Sequence, residues 1–448
     1  MKKNFTKALL ITQITLLLLL KFLIILKTEL TEDEAYYFLW SKKLSLSYFD
    51  HPPMVAYFIK LGTLLFGENE IGVRIPAFIT GLLFLLIVAL IFKEIKVKKI
   101  ITSIYVFSLI LIFSVGAVVI TPDTPMALFT LLTYYFLLKS ENKNFYIYLA
   151  GITFGLSLLS KYVSILLLPS IVIYLHNRKK IFSKETLFFL LLSTLLFSPC
   201  LIWNLQNDML SFKFQLAHGY GKEGIDPLNI MIYLRDSLLV LSFPLSLLIY
   251  FYTLKGVIKE KMNFLTLSFL LPFLFFMLSS LKTRAEANWP SISYIFMTIL
   301  AIKYLKENKI FYITSLITFL LITYIHIHAL KPLIKIKKDP ISRMKGWKEL
   351  ARDAEWFAEI YGVKNFAANN YQIASELSFY LKNKPFVYSL NINSRENQFN
   401  LWQKNEKLPD TLFYVGEINE GFKKIFKKIE KIGASKNSRK LNFYILIK

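Results

Sequence analysis

The chain has 448 residues, of which 55% are hydrophobic, and its mean hydropathy is +0.47. A soluble domain of this length is much more polar, so the composition excludes an ordinary soluble protein. The formal charge of +24 does not indicate a nucleic-acid partner, because the basic residues recur in short clusters between apolar segments, as orientation signals in membrane proteins do. A single cysteine, Cys200, excludes an intrachain disulfide and a multi-cysteine metal site.

The first apolar run, residues 8–26, has the length of a membrane-spanning helix. A cleaved signal peptide is the alternative, since the run follows a basic start. The residues after it, Lys27 to Leu30, are not a small-residue cleavage site, so we expect a retained anchor.

Basic clusters predict which helix ends face the cytoplasm. They lie at 2–7, 93–99, 139–143, 178–184, 255–261 and 303–309. If these are cytoplasmic, the chain is a polytopic α-helical membrane protein with about eleven transmembrane helices, its N-terminus inside and its C-terminus outside. The predicted spans are 8–26, 76–92, 101–120, 126–138, 145–159, 162–175, 185–203, 230–252, 263–280, 290–304 and 309–329. The run 52–66 is too short for a crossing, and we expect it along the outer interface.

The connections at the other helix ends carry acids, amides and aromatic residues. They lie at 31–34, 48–53, 121–125, 160–162, 203–220 and 284–290. Any one of them alone would be read as a solvated connection. Six on one side of the membrane predict a functional site there.

After residue 329 the composition changes, which predicts two domains: a transmembrane domain over 1–330 and a small extracytoplasmic α/β domain over 331–448. Helical patterns cover 344–361, 371–381 and 421–432. Strand-like runs cover 365–368, 386–390, 412–415 and 442–447.

Three carboxylates in the external loops are candidates for catalysis. Asp33 and Glu34 are adjacent, so their charges repel and one of them could serve as a base. Asp123 lies between two prolines at a membrane boundary. The structural alternatives are an acidic pair that complements a helix dipole and a helix cap, respectively.

Cations in the same loops are candidates for binding a phosphate. Lys161 interrupts a long apolar stretch, and together with Arg74 and Arg284 it would form an anion clamp. The alternative for Lys161 is a short hairpin whose lysine reaches up to the interface.

The segment Asp50-His51-Pro52-Pro53 presents a carboxylate and an imidazole on a backbone stiffened by two prolines. Such a pair can hold a divalent metal (Zn, Mg or Mn) or the oxygens of a phosphate. His218 in another external loop could complete a metal site. No cofactor follows with certainty.

Several of these segments resemble a known family. They are Asp33-Glu34 with the aromatic residues after it, Asp50-His51-Pro52-Pro53, Val73-Arg74-Ile75-Pro76, Thr121-Pro122-Asp123, Leu159-Ser160-Lys161-Tyr162, Trp203-Asn204, Glu286-Ala287-Asn288-Trp289-Pro290, the stretch 371–380 and Arg395-Glu396-Asn397-Gln398. In this order they are similar to the bacterial dolichyl-phosphate-mannose-protein mannosyltransferase-like glycosyltransferases, a superfamily that includes the aminoarabinose transferase of lipid A.

The resemblance implies a GT-C fold and an inverting sugar transfer from a polyprenyl-phosphate donor to a lipid, glycan or protein acceptor. It places the protein in the bacterial inner membrane among membrane lipids, with its active site on the periplasmic side. Asp33 takes the place of the family's catalytic acid, Asp50 and His51 that of donor-phosphate or metal contacts, and Asp123 that of a second acidic loop. The motifs also supply the expected substrate contacts, which are Tyr36, Tyr37, Trp203, Glu286, Asn288 and Trp289. Glu32 departs from the family, in which many relatives carry glycine.

The physical chemistry agrees with a transferase. A donor with an isoprenoid tail stays in lipid, so its reactive carbon lies at the interface, where these loops are. Two other classes of protein remain open: a transporter or flippase of lipid-linked sugars, and a membrane-anchored binding or assembly subunit.

Overall fold

The computed structural model describes residues 2–220, 224–392, 395–436 and 439–448, with the side chains of residues 2, 3, 218 and 220 left outside the description. A bundle of mostly apolar helices is followed by a small sheet with its own helices. The α-helices are α1 (Lys2–Lys27), α2 (Glu32–Lys42), α3 (Met54–Phe66), α4 (Glu70–Glu94), α5 (Ile100–Leu109), α6 (Leu111–Gly116), α7 (Asp123–Lys139), α8 (Phe145–Leu158), α9 (Leu168–Asn177), α10 (Lys184–Gln206), α11 (Leu210–Tyr220), α12 (Leu228–Val240), α13 (Leu245–Glu260), α14 (Phe264–Ser279), α15 (Ser291–Tyr304), α16 (Lys309–Leu330), α17 (Trp347–Ile360), α18 (Tyr371–Tyr380), α19 (Gln398–Gln403) and α20 (Glu420–Lys423). Two 3₁₀ helices cover Tyr162–Leu167 and Pro340–Met344, and the strands are β1 (Phe366–Ala368), β2 (Tyr388–Ser389), β3 (Thr411–Val415), β4 (Lys428–Ala434) and β5 (Asn442–Ile447).

Four helices in the described part are long and apolar enough to cross a membrane: α1, α4, α10 and α16. The count rises to five if α12 and α13 form one span, although they meet at an angle of 109°. The segment expected to cross over 230–252 is thus broken into two helices, and its crossing stays a prediction. The hydroxyl of Ser242, between these helices, donates to the carbonyl of Leu109 at 2.7 Å and accepts from the amide of Leu111 at 2.7 Å, so two helix breaks stabilise each other. The total of eleven spans stays a prediction.

The two kinds of connection lie at different ends of the bundle. The Lys-rich turns contact one another: Lys139 pairs with Glu94 at 3.3 Å, and Arg178 pairs with Glu141 at 3.0 Å. The acidic and aromatic loops meet at a common cavity, described below. The compartment that each end faces stays a prediction.

The C-terminal sheet has the strand order β2-β1-β3-β5-β4, with β2, β1 and β3 parallel and the last two pairs antiparallel. The four expected strands are present. The helix expected over 421–432 is wrong, since only α20 is helical and Lys428–Ala434 is an edge strand paired with β5. Hydrogen bonding to β5 overrides the helical pattern, and the charged side chains of β4 suit an exposed sheet edge.

One apolar core joins the sheet domain to α2 and α3. It combines Phe38 and Trp40 of α2 and Val55 of α3 with Leu350 of α17 and Phe379 of α18. The rings of Phe38 and Phe379 meet edge to face, with centroids 4.8 Å apart. The predicted domain boundary at residue 330 stays a prediction. Helix α2, which precedes this boundary in sequence, packs against residues that follow it.

Within this region α18 buries the carboxyl of Glu376, whose two oxygens have no hydrogen-bond partner among the described residues. Burial raises the pKa of Glu376 well above its usual range, and the nearby Glu32 acts in the same direction. The protonated form is therefore favoured in the folded state. The stability contributed by this group is complete below the pKa of the unfolded chain and is lost as the pH rises.

We expect the apparent melting temperature of the full chain in detergent to fall between about pH 5 and pH 8 and to fall less in Glu376→Gln, which keeps the shape without an ionisable group. Glu359→Gln, an exposed change on α17, is the matched control and should follow the wild type. Parallel pH dependence in all three proteins would show that Glu376 does not ionise in this range.

Candidate active site

A cavity of about 410 Å³ lies where the acidic and aromatic loops converge. It brings together eight of the side chains singled out in the sequence: Asp33, Tyr36, Tyr37, Asp50, His51, Lys161, Asn288 and Trp289. They come from α2, the turn before α3, the segment after α8 and the loop before α15. Residues that are distant in sequence therefore line one cavity, and their role as a functional site stays a prediction.

Asp33 lies in the first turn of α2, which Thr31 and Glu34 begin with reciprocal capping hydrogen bonds. Its side chain is 39% exposed and lines the cavity. One carboxylate oxygen accepts from Arg343 at 2.9 Å, and the same guanidinium bonds Glu32 at 2.7 Å. Arg343 lies in the segment after α16, and no motif in the sequence indicated it.

Glu34 and Arg74 do not line this cavity. Both side chains are fully buried, and the guanidinium contacts the carboxylate at 2.8 and 2.6 Å. The remaining three N–H groups bond the hydroxyl and carbonyl of Thr28 and the carbonyl of Glu29. All five donors of Arg74 are thus committed, so the expected role in donor-phosphate binding is not supported. The pair fixes the acidic loop on α4.

Asp50 is held from both sides. One oxygen accepts from the hydroxyl of Tyr36 at 2.8 Å and the other from Arg395 at 2.9 Å. The hydroxyl of Tyr36 also accepts from the amide of Gln398, whose side chain accepts from the amide of Phe49. Burial raises the pKa of the Asp50 carboxyl, and the Arg395 guanidinium acts in the opposite direction. The motif that contains Arg395 resembles the family, but this resemblance predicted no role for the arginine.

Lys161 and Asp123 form an ion pair, with the ammonium 2.9 and 2.8 Å from the two carboxylate oxygens. Asp123 also accepts from Ser291 at 2.5 Å and from Asn288 at 3.2 Å. Lys161 lines the same 410 Å³ cavity as Asp33, whereas Asp123 lines a separate cavity of about 50 Å³. Asp123 therefore holds the lysine in place, and its expected catalytic role stays a prediction.

Three further candidates lie away from the cavity. Arg284 is largely exposed and its nearest carboxylate is Asp236 at 3.5 Å, while Glu286 is exposed nearby. Trp203 is buried in α10. Its neighbour Asn204 accepts from the amide of Ser211 at 3.1 Å, so this motif stabilises the turn into α11.

The geometry of Asp50 does not fit a metal ligand, because both oxygens are engaged and one of them faces a guanidinium. The described residues contain no group of three His, Cys, Asp or Glu side chains that could hold a metal ion. The side chain of His218 lies outside the described residues. The metal hypothesis stays a prediction, and no step below depends on it.

The Asp50–Arg395 pair predicts a pH effect. Arg395→Gln removes the charge that holds down the pKa of Asp50, so this pKa should rise and the acidic limb of the pH–rate profile should move to higher pH. The profile of kcat/KM between about pH 4 and pH 9 measures it. Arg352→Gln, an exposed arginine of α17, serves as the control. Coincident profiles for both variants would mean that the ionisation of Asp50 does not limit the rate.

Comparison with known proteins gives three findings. Residues 50–203 match the family described as dolichyl-phosphate-mannose-protein mannosyltransferase. The lipid A galacturonosyltransferase RgtD of Rhizobium johnstonii is 23% identical over 380 residues, which cover 80% of this chain and 79% of that protein. The fold is similar to crystal structures of ArnT from Cupriavidus metallidurans, bound to undecaprenyl phosphate (TM-score 0.68, 12% identity) and in the apo state (TM-score 0.66, 11% identity), each with 98% of both chains covered.

Proposed function

We propose that this chain, which resembles GT-C glycosyltransferases in sequence and fold, moves a hexose or pentose from a polyprenyl-phosphate donor to a lipid acceptor at the outer face of the bacterial inner membrane, with inversion at the anomeric carbon. Its relatives, its fold and its long apolar helices support a multi-pass membrane glycosyltransferase that uses a lipid-linked donor. The donor, the acceptor, the stereochemistry and the side of the membrane are the proposal.

The mixed apolar and charged lining of the cavity carries the proposal. Apolar side chains such as Ile165 and Phe275 line the cavity, and both are more than one third exposed. The charged side chains of Asp33 and Lys161 line the same cavity. A polyprenyl chain would contact the apolar part of the lining, and its phosphate and sugar would contact the charged part.

Lys161 suits the donor phosphate. Its ammonium has three N–H donors, and the two carboxylate oxygens of Asp123 leave one of them for the cavity. As the bond between the anomeric carbon and the phosphate oxygen breaks, negative charge grows on the leaving polyprenyl phosphate. A pre-placed ammonium stabilises this charge without reorganisation.

Asp33 suits the acceptor. An attacking hydroxyl forms the new bond to the anomeric carbon from the face opposite the phosphate, and its proton passes to the carboxylate. If the attacking group is itself a phosphate, no base is needed and Asp33 orients the sugar. Arg343, which does not line the cavity, donates to the Asp33 carboxylate and holds it in place.

The direct test uses the full chain in nanodiscs with a radiolabelled undecaprenyl-phosphate sugar and lipid A as the acceptor. The expected result is label in the glycolipid and a stoichiometric release of undecaprenyl phosphate. Movement of the intact donor across vesicle membranes, with no glycolipid product, would contradict the proposal in favour of a flippase.

Lys161→Ala should raise the apparent KM for the donor more than that for the acceptor, because the lost contact is with the donor phosphate. An increase of about tenfold is expected for one charged hydrogen bond. Steady-state rates at varied donor concentration measure it, with the exposed Lys213→Ala as the matched control. An unchanged donor dependence would return Lys161 to a purely structural role.

A further inference from the structure

A second cleft, of about 700 Å³, lies between the end of α2, the turn before α4 and the sheet domain. It shares no lining residue with the active-site cavity. Its volume is within the range of sites that bind small molecules. The reaction proposed above gives this cleft no task.

The cleft carries an excess of positive charge. Four lysines line it, and two of them pair with its glutamates: Lys42 with Glu68, and Lys348 with Glu70 at 2.6 Å. Lys43 and Lys384 have no carboxylate within ion-pair distance among the described residues. The ammonium of Lys384 donates to the carbonyl of Phe379, and Glu68 and Glu70 act on its charge from a longer distance. Four lysines nevertheless face two glutamates in this cleft, and a phosphate would compensate the excess positive charge.

The two ammonium groups lie over aromatic rings. Lys43 is 4.2 Å from the ring centre of Phe386 and 5.3 Å from that of Trp402, and Lys384 is 3.8 Å from that of Phe379. Aromatic faces give a flat apolar platform next to the cations. A sugar ring that carries phosphates matches this combination, because its ring can stack on the platform while its phosphates reach the lysines.

The cleft also borders an apolar ridge. Leu61, Leu64, Leu65 and Phe66, in the last turns of α3, are exposed, with Leu64 and Leu65 at 70% and 68%. The ridge ends at Phe66, and Glu68 of the cleft follows two residues later. Such a ridge beside a cationic cleft is typical of a surface that lies on a membrane. An occupant with both a polar head and acyl chains satisfies both parts.

We propose that this cleft binds the headgroup of a phosphorylated glycolipid, with the acyl chains of the lipid along the α3 ridge. Lys43 and Lys384 contact the phosphates, and Phe386 and Trp402 face the sugar. This binding site is separate from the cavity that contains Asp33. It can therefore be tested independently of the transfer reaction.

Lysine acylation followed by peptide mass spectrometry tests the site directly. The full chain is acylated in phosphatidylcholine nanodiscs with and without lipid A, a diphosphorylated glycolipid. The modification of Lys43 and Lys384 should slow severalfold with lipid A, while that of the exposed Lys364 should not change. Equal rates with and without lipid A at Lys43 and Lys384 would overturn the proposal, and so would equal protection by phosphatidylglycerol, an anionic lipid without a sugar.

A charge-removing variant gives the second measurement. Lys43→Gln/Lys384→Gln should bind one lipid A fewer by native mass spectrometry, or bind it about tenfold more weakly, than Lys364→Gln/Lys407→Gln, which removes the same charge from exposed positions elsewhere. Both pairs are placed in an Asp33→Asn background, so the result does not depend on turnover. The same stoichiometry and affinity in both pairs, or binding of the water-soluble phosphorylated disaccharide as tight as that of the lipid, would contradict a glycolipid site.

Discussion

Asp33→Asn is expected to reduce sugar transfer to a hydroxyl acceptor by about 10²–10⁴-fold, the usual contribution of a general base. The amide keeps the shape of the carboxylate but cannot accept the proton. Asp33 is partly exposed and lies in the first turn of α2, so the substitution should leave the fold intact. Initial rates with labelled donor measure the loss, and the melting temperature verifies folding.

Glu32→Gln is the matched control for this experiment. Glu32 shares the guanidinium of Arg343 with Asp33 but does not line the cavity. It should retain activity within a few-fold of the wild type. Full activity in Asp33→Asn would exclude this residue as the base, and equal losses in both variants would mean that the anchoring of Arg343, rather than proton transfer, is what the substitutions disturb.

Glu34→Gln is expected to prevent stable folding. It leaves the guanidinium of Arg74 charged and fully buried without its carboxylate, and breaking one side of a buried ion pair costs about 3–5 kcal/mol. The apparent melting temperature of the full chain in detergent, at a fixed heating rate, measures the loss.

Glu68→Gln provides the comparison, because it removes the same kind of carboxylate from the exposed pair with Lys42, which is worth about 0–1 kcal/mol. The double variant Glu34→Gln/Arg74→Gln should lose less than the sum of the two single variants, since no isolated charge stays buried. A melting temperature in Glu34→Gln equal to that in Glu68→Gln would show that the pair is dispensable.

The sequence predicted those features in which residue type and hydrophobic periodicity agree. Alternation of Lys-rich and motif-bearing connections predicted that Asp33, Asp50 and Lys161 would share one end of the bundle, and they line one cavity. Amphipathic and strand patterns predicted the helices α17 and α18 and four of the five strands. These features depend on local sequence, which a single chain contains in full.

The partners of the site residues could not be predicted in the same way. Glu34 and Asp33 are neighbours, yet Glu34 is buried in an ion pair with Arg74, whereas Asp33 lines the cavity. Successive positions on a helix point in different directions, which explains the difference. Arg343 and Arg395 lie in segments without periodicity and reach the acids across some 310 and 345 positions of sequence. Only tertiary packing brings them there.

The bond from Arg395 to Asp50 also sets an order of events during synthesis. A ribosome adds about 5–20 residues per second, so these two residues emerge roughly 20–70 s apart. A chain interrupted before the sheet domain contains Asp33, Asp50 and Lys161 but neither Arg343 nor Arg395. It also lacks most of the core against which α2 packs. Stalled or clipped chains thus have carboxylates without their counter-ions. The set of residues around the cavity is complete only after the last quarter of the polypeptide has been made.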